Sequence, residues 1–197
     1  MTHPITYTQN EAYAKTLFGF WLYLLTDCIM FGAIFISYVV LQNNTYGGPS
    51  AKELFRLPSP LAESILLLTS SLFAGLARVE ALRDEKYRAM GLYGLAFLLG
   101  FVFLLLTYLE SASFAARGYT WEISAFLSGF YTVIWTHALH VMAGLIWILI
   151  IIGQIWARGI TPNTFRRLSC LTLFWQFLAM IWVFTFTIVY LMGRGGV

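Results

Sequence analysis

The chain has 197 residues, of which 59% are hydrophobic and only 11% charged, with a formal net charge of +3. A soluble chain carries about a quarter charged residues, so this composition excludes an ordinary globular domain in water. The basic residues are scattered through short connecting segments instead of forming one patch, which argues against nucleic acid as a partner and turns their placement into a topology signal.

Five segments are apolar and long enough to cross a bilayer as helices, since lipid leaves no other way for a single segment to satisfy its backbone. Residues 1–16 form a polar N-terminal tail, expected to be cytoplasmic, and residues 17–193 form the membrane domain. The first span is Leu17–Leu41, too long for a signal-peptide core and lacking a small-residue cleavage site, so it reads as a retained helix. The second runs from about Leu61 to Leu82, with Pro58 and Pro60 at its start, where a helix tolerates proline, and Arg78 near its end, placed to snorkel. Ala89–Leu109 is the third. The fourth lies within the charge-free stretch Ile123–Ala157 and is expected over about 126–153; the fifth lies within Leu168–Gly193, over about 170–192. Ala96 and Gly100, four apart, suit close helix packing. Cys28 and Cys170 fall in or beside apolar runs and read as small hydrophobes. There is no internal repeat of the kind that builds two-halved transporters.

Loop charge sets the orientation. One side of a five-span chain carries Lys15, Arg78, Arg83, Lys86, Arg88, Arg158, Arg166 and Arg167; the other carries Lys52, Arg56, Arg117 and Arg194. Eight against four places the N-terminus in the cytoplasm and the C-terminus outside.

Polar residues interrupt the spans at few places. Asp27 is the single charge between Leu17 and Leu41, about 15 Å into the run at about 1.5 Å per residue. A carboxyl at that depth is costly and faces protein or water; it reads either as a proton relay or ion site, or as a neutral carboxyl hydrogen-bonded between helices. Glu63 lies in the first turns of the second helix, where the helix dipole suits an anion. Glu110 lies at the opposite, unfavourable pole of the third and calls for a partner that sequence does not name. His137 and His140 are three apart on one face of the fourth helix. Two such rings cannot take opposite sides of one haem, and a metal site needs further ligands, so interhelical hydrogen bonding is the expected role, with Asp27 a candidate partner at similar depth.

The order of motifs adds a resemblance. Phe18 to Phe31, centred on Leu25-Thr26-Asp27-Cys28, then Gly47-Gly48-Pro49-Ser50, then Leu57-Pro58 with Glu63 and Leu66-Leu67-Leu68-Thr69-Ser70-Ser71, resemble subunit III of the haem-copper respiratory oxidases. Thr136-His137-Ala138-Leu139-His140-Val141 through Trp147 is similar to that family's histidine motif, and Phe184 to Gly193 resembles its bo-type ubiquinol oxidase branch. The resemblance implies a non-catalytic subunit without haem or copper, built like the last five of the long form's seven helices. It would sit in the bacterial inner membrane beside a catalytic subunit that carries haems and copper, reduces oxygen to water and pumps protons. It implies subunits I, II and IV and membrane phospholipids as partners, with ubiquinol and oxygen consumed by the whole complex, and a role in proton uptake and protection during turnover. Asp27 falls on the family's buried, carbodiimide-reactive carboxylate, and Glu63, Glu110, His137 and His140 also fall on family positions. One departure stands out: where the family's last helix carries His and Asp, this chain has Gln176 and Ala179. The competing readings are a cytochrome c or menaquinol oxidase subunit, and a free-standing proton-coupled transporter using Asp27 and the histidines.

Overall fold

A computed structural model describes residues 11–55 and 57–193; His3, Arg56 and Arg194 lie outside the described residues. Among the described residues every regular element is a helix and no strand is present. The elements are α1 (Glu11–Leu41), a four-residue α2 (Ala51–Leu54), α3 (Pro58–Leu82), α4 (Lys86–Ala116), α5 (Ala125–Arg158) and α6 (Pro162–Thr185). The last continues as a π-helical segment over Phe186–Met192. Five helices are thus long and apolar enough to cross a membrane.

Each helix outruns its apolar stretch. At about 1.5 Å per residue, the 31 residues of α1 reach about 46 Å, against a hydrocarbon core of about 30 Å. The excess begins in the polar segment, where Glu11 and Lys15 pair at 3.4 Å one turn apart. Helix ends are instead set by local chemistry. The Ser124 hydroxyl accepts from the Leu127 N–H at 3.2 Å, and Thr161, followed by Pro162, accepts from the Thr164 N–H at 3.2 Å. Gly159, with φ +72°, ends α5, because a left-handed residue breaks the ladder at no steric cost to glycine.

α6 lies at the centre, with over half of its apolar window buried, whereas α1 sits at the edge against α5 and α6. Trp175 fixes that arrangement. Its ring occupies the space left by Gly100 on α4 and Gly144 on α5; a Cβ at either position would stand 2.6 Å from a ring carbon. Its indole N–H donates to Ser70 Oγ at 2.9 Å, and Ser70 donates onward to the Ala96 carbonyl at 2.6 Å. One residue therefore ties α3, α4, α5 and α6 together. Two turns along α6, Trp182 repeats the device, donating to Ser64 Oγ at 3.0 Å.

At the other end of the bundle Arg78 does not snorkel. Its guanidinium is partly buried and donates to Tyr13 of α1 at 3.2 Å and to Ser169 of α6 at 3.4 Å. Two hydroxyl groups on neighbouring helices hold the head inside, where a free arginine would have reached for water. Cys28 is exposed, Cys170 is buried, and both are free thiols.

Candidate functional site

The polar residues singled out by sequence fall into three places. Asp27 is buried on the inner face of α1, 8% exposed, and its Oδ2 has no hydrogen-bond partner among the described residues. Tyr23, one turn earlier on the same helix, lies within electrostatic reach of its carboxyl, and no hydrogen bond among the described residues joins the carboxyl to His137 or His140. Asp27 is therefore not joined to either histidine.

The reason is visible in the packing. His137 is fully buried, and its Nε2–H donates to the Leu178 carbonyl of α6 at 3.1 Å; with a carbonyl as partner, that nitrogen carries the proton. Its ring is walled by Phe103, edge-on at 5.8 Å, and by Trp182 at 5.2 Å. His140 turns back to its own helix, donating from Nδ1 to the Thr136 carbonyl at 2.8 Å. Phe31 meets both rings, at 6.3 Å and 5.2 Å, and so takes the space on α1 that a carboxylate partner would need. Asp27 lies one turn, about 6 Å, along the helix from Phe31. Asp27→Asn is accordingly expected to keep the thermal midpoint of the purified protein within about 2 °C. A larger fall would show that the carboxyl holds the helices together.

Glu63 and Glu110 form the third place, and their meeting is what sequence reasoning missed. α4 runs on past Glu110 to Ala116 through the helix-favouring Ser111–Ala116 stretch, so Glu110 is not at the helix terminus. Glu63 on α3 is fully buried, and its Oε2 accepts from Thr107 of α4 at 3.4 Å. Glu110 is three residues beyond Thr107, on the same α4 face, and the two carboxyls feel each other electrostatically. The available signal was the spacing: Thr107 with Glu110 on one helix, Ser59 with Glu63 on the other.

On the α4–α5 surface Phe101, Leu105, Tyr108, Trp135, Leu139 and Met142 line an apolar groove of about 550 Å³. Among the described residues no three His, Cys, Asp or Glu side chains gather as metal ligands do.

Comparison with known proteins decides the family. The model of "Cytochrome c oxidase subunit III" matches residues 6–194, nearly the whole chain. The chain belongs to the cytochrome c oxidase subunit III family. It is similar to the cytochrome bo(3) ubiquinol oxidase subunit 3 of Pseudomonas aeruginosa, 44% identical over 97% of this chain and 93% of that one. It is also similar to a Bacillus sp. cytochrome c oxidase subunit 3, 39% identical over 90% of this chain and 86% of that one. The quinol oxidase subunit 3 of Bacillus subtilis is 36% identical over 98% of this chain and 94% of that one. This subunit III is therefore part of a haem-copper respiratory oxidase and a multi-pass inner-membrane protein. The Gln176 and Ala179 departure leaves its last helix intact: Gln176 is exposed, with its amide 3.4 Å from where a Cβ of Gly75 would stand, and Ala179 is buried.

Proposed function

We propose that this subunit III serves a proton-pumping oxidase that takes electrons from ubiquinol. The observation that carries the reading is the full-length similarity at 44% identity to a relative named for that donor. The chain itself holds no haem or copper in this reading. Subunit I would carry the haems and copper, with subunits II and IV completing the complex. The N-terminus lies in the cytoplasm and the C-terminus in the periplasm, as the two-to-one excess of basic residues on the N-terminal side favours.

The work of the subunit is then indirect. It stabilises the catalytic neighbour, supports proton uptake and holds phospholipid. The apolar α4–α5 groove, with Tyr108 and Trp135 packed edge to face at 6.3 Å on its wall, suits an acyl chain. Asp27 serves as a buried carboxyl that influences proton entry next door and is not itself a relay, since among the described residues no continuous acidic chain crosses this subunit. The Bacillus relatives favour a second reading, with cytochrome c or menaquinol as donor. Purifying the complex through a tag on this chain tests the choice. Rapid oxidation of ubiquinol without a dinuclear copper centre supports the first reading; turnover with cytochrome c and such a centre, or oxidation of menaquinol in preference to ubiquinol, supports the second.

A further inference from the structure

The Glu63–Glu110 pair is chemically incomplete as it stands. Glu63 is fully buried, yet its Oε1 has no partner among the described residues. Its Oε2 has only the Thr107 hydroxyl at 3.4 Å, and that single hydrogen is also drawn to the Phe103 carbonyl at 3.1 Å. An ionised, buried carboxylate offers about four acceptor positions; this one has half a donor. A buried anion so poorly served is among the costliest groups a protein can hold.

A second acid makes the charge worse: Glu110 is on the adjoining α4 face, within electrostatic reach of Glu63. Among the described residues the basic side chain in the groove beside them is Arg117, two turns past Glu110; that groove, about 350 Å³ in volume, is also lined by Glu110, Ser59 and Ser113. Glu110 thus lines a groove, and Glu63 does not.

We propose that Glu63 and Glu110 bind one proton between them, held on Glu63 with Oε1 as its seat, while Glu110 carries the charge. Like carboxyls in one apolar site do not both ionise. The division follows from placement: Glu110 is part-exposed and lines an open groove, whereas Glu63 is fully buried and has no ion-pair partner among the described residues. A metal cation is the poorer occupant, because the donors are too few for a hard ion and Arg117 lines the groove beside Glu110. In the proposed orientation this proton site opens toward the periplasm. It does not depend on which donor the complex oxidises.

The test uses the purified oxidase complex and two readouts. Glu63→Gln keeps a neutral side chain that donates and accepts, so its thermal midpoint is expected within about 1 °C of the parent, while Glu63→Ala falls by several degrees. A loss in Glu63→Gln equal to that in Glu63→Ala overturns the proposal, because the anion would then be the required form. Dicyclohexylcarbodiimide attacks neutral carboxyls: the acid's proton moves to a carbodiimide nitrogen and its oxygen bonds the central carbon. Peptide mapping at neutral pH is expected to find Glu63 modified at least about tenfold more than Glu110. Equal modification of the two, or protection of Glu63 by millimolar sodium, potassium, magnesium or calcium, also overturns it.

Discussion

Trp175→Ala is expected to cost about 3–5 kcal/mol of stability, the range for removing a large buried aromatic side chain. The ring is fully buried where four helices meet, so neighbouring side chains cannot collapse into the void without moving a helix. Van der Waals packing and interhelical hydrogen bonds are the main forces between helices in lipid, where the hydrophobic effect no longer separates them. Trp175 supplies both, by filling the Gly100–Gly144 recess and by donating to Ser70. Trp175→Phe divides the two contributions. It keeps most of the packing and loses the N–H donor, and should cost about 1 kcal/mol. Denaturant unfolding of the purified protein in detergent measures both; a Trp175→Ala cost no larger than that of Trp175→Phe would show that the recess does not hold the bundle.

Gly144→Val presses on the same contact from the opposite side. A Cβ at position 144 meets two Trp175 ring carbons, at 2.6 Å and 2.8 Å, before the two further methyl groups are counted. The ring cannot swing aside, because Ser70 holds its nitrogen and Gly100 encloses its far edge, leaving α5 to move outward. Overpacking of this kind costs about 1–3 kcal/mol, and more where backbone must shift. Because both changes act on one contact, they should not add. Gly144→Val in a Trp175→Ala background is expected to be milder than the sum by about 0.5–3 kcal/mol. Additive losses would mean that the valine strains some other part of the fold.

These contacts explain what was legible in the sequence and what was not. The five spans were readable because lipid imposes a length of apolar helix that a chain must declare openly. The helix ends were not, since α1 and α4 run on past their apolar stretches into polar segments where lipid sets no length. Gly100 was recognisable as a close-packing residue, but its occupant comes from a helix more than 70 positions away, and nothing local announces it. Counting residues put Asp27 and the histidines at similar depth. Counting gives depth without rotation, and it is rotation that brings Phe31 against the rings instead of the carboxyl. Glu63 and Glu110 were read separately, one satisfied by a helix dipole and the other lacking a partner. The α3–α4 pairing brings Glu110 within electrostatic reach of Glu63.

The central claim is that this chain acts through a haem-bearing neighbour. Purification from its native membrane through a tag on this chain, followed by an absorption spectrum and a proton-release assay after reconstitution, tests it most directly. The account predicts co-purifying haem, oxygen consumption driven by ubiquinol, and proton release that ceases when the catalytic partner is removed. A chain that purifies alone, shows no haem, and by itself carries out proton-coupled uptake in vesicles would contradict it.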